Sequence, residues 1–295
     1  MLEQLHIFLS STPFYDYRIV LILIFVGAAV GFVNTIAGMA TAISYGLFMM
    51  MGMPINVANG TTRVGVLLQF ITTSAIFKKE GFLDMKIGWR VGIPVGIGAI
   101  FGALLAAVLE VKIIEIVMGV LLPLMSILLF IDKSKIQRWL NRYDKNSGKA
   151  ISTEAKKLEA VQTASARNTA EVEQNRFSWG IFLVFTLIGV YGGFTHSGVG
   201  LLIMFGSFFL LGLDMTRSNA IKQFAVTIYT PLALTVFIIY GQVHWGVALI
   251  YAVGNIVGGI IGSYASIKGG DKFIKIFVAV IVLTMSAILL IRQFH

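Results

Sequence analysis

The sequence predicts an all-α polytopic membrane protein made of two inverted-topology repeats of about five helical segments each, with broken or re-entrant helices at mid-membrane. Three observations predict it. The chain is 57% hydrophobic and only 13% charged over 295 residues, where a soluble domain carries about a quarter charged residues. Its apolar runs, most of them near the roughly 20 residues a spanning helix needs, are parted by short polar turns. The second half repeats the first at a constant offset of 160 residues, matching Thr35 with Thr195, Gly38 with Gly198, Gly52 with Gly212, Asn59 with Asn219, Gly81 with Gly241, Gly98 with Gly258, Gly102 with Gly262 and Lys112 with Lys272. Glycines alone match by chance in membrane sequence; a gapless register that also holds Asn, Thr and Lys is much harder to dismiss.

Segment one is expected over about Tyr17–Ile36, with Tyr15 and Tyr17 at its mouth, where amphipathic rings favour the interface. Asn34, Thr35 and Gly38 interrupt the apolar run. Segment two, about Met39–Met51, covers only about 20 Å as a helix, against a hydrocarbon core of about 30 Å. It is either a tilted, broken span or the return arm of a re-entrant hairpin. Gly52-Met53-Pro54 breaks the chain again, and segment three follows over about Val57–Phe77, ended by Lys78-Lys79-Glu80. Segment four, about Ile87–Leu109, carries Gly92, Gly96, Gly98 and Gly102, two small-xxx-small pairs that let helices approach closely in lipid. Segment five is expected over about Ile113–Ile131. The second half repeats the series over about Trp179–His196, Val199–Leu211, Ser218–Tyr240, Val243–Ile267 and Phe273–Ile291.

Residues 132–177 are polar and free of long apolar runs, which marks a connector. The chain therefore divides into an N-terminal transmembrane repeat (1–131), a linker (132–177) and a C-terminal transmembrane repeat (178–295). The linker holds ten Lys and Arg residues and is expected in the cytoplasm. The turn around Gly81 carries Lys78, Lys79, Lys86 and Arg90, whereas its counterpart around Gly241 carries no Lys or Arg; the bias reverses at the next pair of turns, where Lys268, Lys272 and Lys275 lie in the second half. Equivalent turns thus face opposite sides, and each half crosses an odd number of times, leaving both termini extracytoplasmic. The start of the chain lacks a basic stretch before the first apolar run, so no removable leader is expected. The net charge of +9 reads as this loop bias rather than as nucleic-acid binding. The chain has no cysteine, which excludes disulfides, thiolate metal sites and cysteine nucleophiles.

Arg63 and Lys222 are the informative charges. They sit in segments three and eight, one position from repeat equivalence, and each follows an Asn (Asn59, Asn219). A cation at mid-helix costs about 2.5–3.5 kcal/mol on insertion scales. The alternative is snorkelling, in which each head reaches the headgroups. Two near-symmetric cations beside unwound, hydroxyl- and amide-rich sequence suit an anion, with Arg63 as a planar fork and Lys222 as a point charge. Asn34, Thr35, Thr62, Thr195, Ser197 and Gln223 are the further candidates for holding it. The starts of segments two and seven, just after Gly38 and Gly198, offer free N–H groups to negative charge. His196, at the second break, is the candidate proton carrier, because imidazole titrates near neutrality.

An enzyme is not expected. His196 and Ser197 are adjacent, but no orienting carboxylate lies near them in sequence, and there is no HExxH, Walker A or dinucleotide fingerprint. No catalytic residue, metal site or cofactor is assigned. The expected partners are a small anion and the lipid bilayer, with the protein a monomer or a homodimer.

The stretches GFVNTIAG (31–38), GMPINVANGTTRVGVLLQ (52–69), YGGFTHSGVG (191–200), SNAIKQF (218–224) and IYGQVHWGVALIYAVGNIVGGIIGSYAS (239–266) resemble the TauE/SafE family of sulfite and organosulfonate permeases. The resemblance covers the chain outside 132–177. It implies a cofactor-free secondary transporter of small sulfur-containing anions or related oxyanions in the cytoplasmic (inner) membrane, coupled to an ion gradient. Met39-Ala40-Thr41 stands where relatives carry a run of glycines, and His196 where Gln is common. A passive anion channel with the same site and an intramembrane enzyme are the competing readings.

Overall fold

The computed structural model describes residues 2–109 and 179–293, and the elements formed by these residues are all helical. Segment five and the connector 132–177 lie outside the described residues, and with them the domain boundaries expected there. In order the helices are α1 (Leu2–Ser11), α2 (Tyr17–Ile36), α3 (Thr41–Met50), α4 (Ile55–Lys79), α5 (Met85–Val108), α6 (Trp179–Thr195), α7 (Val199–Leu210), α8 (Met215–Ile239) and α9 (Trp245–Gln293, bent at Gly270). The short α1 was not anticipated from the sequence.

Local chemistry sets the ends. Asp16, Asp84 and Asp214 each precede a helix and accept backbone N–H bonds from its first turn, at 2.8 Å from Arg18, 2.7 Å from Lys86 and 2.7 Å from Arg217. α4 and α8 close the same way. Phe82 donates its N–H to the Phe77 carbonyl at 3.0 Å, and Gln242 donates to Phe237 at 2.8 Å. The repeat register holds in three dimensions: α4 and α8 start at 55 and 215 and stop at 79 and 239, and α5 and α9 start at 85 and 245. α2 and α6 both stop short at a break whose Gly38 and Gly198 have φ of +76° and +77°, a conformation in which a side chain is strained.

Among the described residues, four helical stretches are long and apolar enough to cross a bilayer: Tyr17–Ile36, Met85–Val108, Met215–Ile239 and Trp245–Ile281. α4 is equally long at 25 residues, but its polar residues lower its hydropathy, and Asn59, Arg63, Gln69 and Thr73 among them are buried. The large apolar side chains that face outward recur at helical spacing, as Ile93, Ile97 and Phe101 on α5 and their repeat equivalents Val253, Val257 and Ile261 on α9. In water such stripes would be a liability; here they form the lipid-facing wall.

Close glycine contacts fix how the helices run. Gly27 of α2 lies against Tyr251 of α9, Gly31 against Asn255, and Gly262 against Thr35, so α2 and α9 are parallel. Gly189 and Gly193 of α6 lie against Val95 and Ala99 of α5, again parallel. Among the described residues each half therefore packs its first long helix on a long helix of the other half, α2 on α9 and α6 on α5. A side chain at Gly98 or Gly102 would run into the backbone of Thr186 and Val190, which is why these small-xxx-small positions admit no larger residue. Gly88, Gly92 and Gly96 meet Phe224, Ile228 and Leu232 in parallel along α8. By contrast α4 and α8, which are repeat equivalents, run antiparallel: Gly60 faces Phe237, and Thr73 and Ser74 reach Gln223 and Thr227. Equivalent helices pointing in opposite directions are what an inverted repeat requires.

The contacts also decide the course of α3. Thr35 stands level with Gly262, but Ser44 bonds the Tyr251 hydroxyl and Phe48 packs edge-on against the Tyr251 ring. Past the break the chain has therefore turned back toward the level of Gly27. α3 spans only about 15 Å and is the return arm of a hairpin. The two breaks meet, since Gly38 and Gly200 lie backbone to backbone.

Candidate functional site

Arg63 and Lys222 are wholly buried, each at 0% exposure. Neither reaches out to headgroups. Arg63 lies one turn beyond Asn59 on α4, so both point to the same side. Its Nε donates to Asn59 Oδ1 at 3.1 Å, and its Nη2 donates to the carbonyls of Gly193 at 2.5 Å and Gly192 at 3.2 Å. The guanidinium lies 4.9 Å from the centroid of the Phe237 ring. Asn59 Nδ2 donates to the Phe194 carbonyl at 2.8 Å, and Tyr45 bonds both Asn59 Oδ1 and the Thr195 carbonyl. This network binds the first half to the end of α6.

A second network binds the second half to the end of α2. Lys222 Nζ donates to the carbonyls of Thr35 at 2.7 Å and Asn34 at 3.2 Å. Gln223 Nε2 donates to Thr35 O at 2.8 Å and to Asn219 Oδ1 at 3.0 Å. Gln223 thus repeats what Arg63 does, an amide standing where the first half has a guanidinium. Lys222 is the addition: its repeat partner Thr62 only donates back to the Ala58 carbonyl of its own helix at 2.8 Å. The last carbonyls of a helix carry partial negative charge and lack intrahelical donors, so cations and amides satisfy them well.

The networks leave donors over. Arg63 Nη1, Asn34 Nδ2, Asn219 Nδ2, and the hydroxyls of Thr195 and Ser197 are buried without a hydrogen-bond partner. Thr35 and Thr62 are different: both hydroxyls bond back to the carbonyl four residues earlier, Thr35 to Gly31 at 2.8 Å, and Thr35 also accepts from Gln69 at 2.9 Å. Ala40 caps the start of α3 and Gly198 that of α7, both buried and neither with a side-chain hydrogen bond to the first turn. His196 is buried at the second break with φ +56°, a conformation few non-glycine residues adopt, and its Nδ1 lies 2.5 Å from the Tyr229 hydroxyl. Among the described residues no Asp or Glu is buried. The described residues also form no cluster of His, Cys, Asp and Glu able to hold a metal. Among the described residues the interior therefore carries two cationic side chains, surplus N–H and O–H donors, and no acidic group to balance them. Such an interior is chemically suited to an anion.

Sequence reasoning missed Tyr45, because its repeat partner is Phe205 and the register carries no signal there. It assigned no role to Tyr229. It also had no means of naming the carbonyls of Gly192, Gly193 and Phe194, since backbone acceptors leave no mark in residue identity.

A family model described as Sulfite exporter TauE/SafE matches residues 23–289. A probable membrane transporter protein of Sinorhizobium sp is 29% identical over 109 residues, covering 37% of this chain and 42% of that protein. A probable membrane transporter protein of Haemophilus influenzae is 26% identical over 129 residues, 42% of this chain and 51% of that one. The aligned stretches thus span about half the length of these relatives. No solved structure matches the chain.

Proposed function

The chain belongs to the TauE/SafE family, and from that premise we propose that it is a secondary transporter. It moves a small sulfur-containing anion, such as sulfite or an organosulfonate, across the cytoplasmic membrane by alternating access between its two halves, coupled to the proton gradient. The observation that carries this reading is the pair of fully buried cations, Arg63 and Lys222, in an interior with no buried carboxylate among the described residues. An uncompensated buried charge is costly, and an anion is the partner that offsets both.

In this reading Arg63 presents its unpartnered Nη1 to one face of the anion. Lys222 has three N–H donors and has committed two to the carbonyls at the end of α2. Asn34, Asn219, Thr195 and Ser197 supply the remaining donors, Asn59 and Gln223 hold the cations and helix ends in place, and Thr35 and Thr62 lie in the wall. His196, bonded to Tyr229, carries the proton. The linker 132–177 lies in the cytoplasm and both termini outside. The networks tie each half to the other half's broken helix, so a rocking of one half against the other is felt at the site.

The test is flux in proteoliposomes with sulfite, sulfoacetate, thiosulfate and sulfate, with and without an imposed pH gradient. Saturable uptake with accumulation driven by the gradient is expected. Arg63→Gln and Lys222→Gln are each expected to depress it without loss of fold. Single-channel current without uphill accumulation would make the protein a passive channel, and unchanged uptake in both variants would remove the site.

A further inference from the structure

Transporters with broken helices commonly bind a coupling metal ion on the carbonyls freed at a break, where a helix ends with its partial negative charge. Here the carbonyls of Asn34 and Thr35, at the end of α2, receive Lys222 Nζ at 3.2 and 2.7 Å. The Gln223 amide adds a third donor to them, on Thr35 at 2.8 Å. The lysine arrives from the other half, its stem passing beside Gly200, where a Cβ would stand 3.2 Å from Lys222 Cδ. The group is fully buried, and among the described residues no carboxylate is buried beside it to neutralise it. Charge, ligand type and position are those of a monovalent cation site.

We propose that the end of α2 is a monovalent-cation site that the protein fills with its own Lys222 ammonium, so that carriage of the anion needs no sodium or potassium ion as co-substrate. This rests on the anion-transport reading for its consequence, but the cation site itself stands on the geometry above. The other break is satisfied by the same logic, with the Arg63 guanidinium and the Asn59 amide on the carbonyls of Gly192, Gly193 and Phe194. Each half ends its first long helix on a cation tethered to the other.

Removing the tether should expose the site to a free ion. Lys222→Ala leaves the two carbonyls and a space the size of the lysine stem, which methylammonium fits and tetramethylammonium does not. In the purified protein, methylammonium is expected to raise the unfolding midpoint of Lys222→Ala by several degrees, as a ligand of the folded state does, and to leave the unaltered protein unmoved. Lys222→Met, which fills the space with an uncharged stem, is the control and should gain nothing. In proteoliposomes, Lys222→Ala should lose anion exchange by about tenfold or more, a deficit of about 1.4 kcal/mol, and recover part of it with methylammonium. Exchange by the unaltered protein should change less than about twofold when N-methylglucamine replaces all sodium and potassium.

A sodium or potassium requirement in the unaltered protein would overturn the proposal. So would a folded Lys222→Ala that methylammonium does not stabilise, or an equal gain in Lys222→Met. If Lys222→Ala folds only with methylammonium present, the yield gives the supporting result; failure to fold with it, while Lys222→Met folds, overturns the proposal. Should the unaltered protein exchange none of the anions, the transport reading fails, and the stabilisation assay still decides the cation site.

Discussion

Asn59 and Asn219 are repeat equivalents, yet the fold loads them unequally, and this difference is measurable. Asn59 Oδ1 accepts from Arg63 Nε and from Tyr45, while its Nδ2 serves the Phe194 carbonyl. Asn59→Ala strands the Arg63 Nε–H and the Phe194 carbonyl and leaves Tyr45 with the Thr195 carbonyl alone. Two stranded buried groups cost about 2–6 kcal/mol together at about 1–3 kcal/mol each; the weaker average of about 0.6 kcal/mol for hydrogen bonds inside membranes sets a floor of about 1 kcal/mol. Asn219 accepts only from Gln223, which keeps Thr35 O, and its Nδ2 has no partner to lose. Asn219→Ala should therefore cost no more than about 0.6 kcal/mol. Thermal unfolding of the detergent-solubilised variants, followed by loss of the monodisperse peak, should place Asn59→Ala several degrees below Asn219→Ala. Equal midpoints, or a lower one for Asn219→Ala, would refute the assignment of the hydrogen bonds.

Other perturbations follow from the same contacts. Arg63→Lys keeps the charge but has a single nitrogen for Asn59 and the two carbonyls, so anion uptake should fall by about tenfold or more while the protein stays folded; uptake within twofold of normal would show that the planar fork is not used. Gly98→Leu and Gly102→Leu should prevent the close approach of α5 and α6 and abolish the folded yield, whereas Gly46→Ala, with nothing within 4 Å of the new methyl, should stabilise by about 0.5–1 kcal/mol in a thermal scan. Gly270→Ala forces a side chain into φ +62°, ψ −165° and should cost about 1–3 kcal/mol, read as a lower unfolding midpoint. The natural chain has no cysteine, so Glu80→Cys and Tyr240→Cys, at equivalent turns, can be labelled one at a time with an impermeant maleimide. They should react from opposite sides of the membrane, and labelling from the same side would contradict the antiparallel run of α4 and α8.

The sequence by itself determined the class, the spans and the register. Low charge and long apolar runs are properties of composition, and they report the solvent directly. Helix ends at Asp16, Asp84 and Asp214, and at the paired turns of Gly81 and Gly241, are fixed by residues within a few positions, so a local reading places them. The 160-residue offset also marks Asn59 and Asn219, and their charge within apolar segments marks Arg63 and Lys222. What only the tertiary structure decided is non-local. That α2 packs on α9 and α6 on α5, that α3 turns back, and that Gly38 meets Gly200 all depend on which surfaces approach closely, and many glycines offer that. The two cations were legible as residues, but their partners are backbone carbonyls of the opposite half, at Asn34, Thr35, Gly192 and Gly193. A carbonyl is the same in every residue, so its availability arises only when a helix ends there, and its donor is chosen only when the two halves pack.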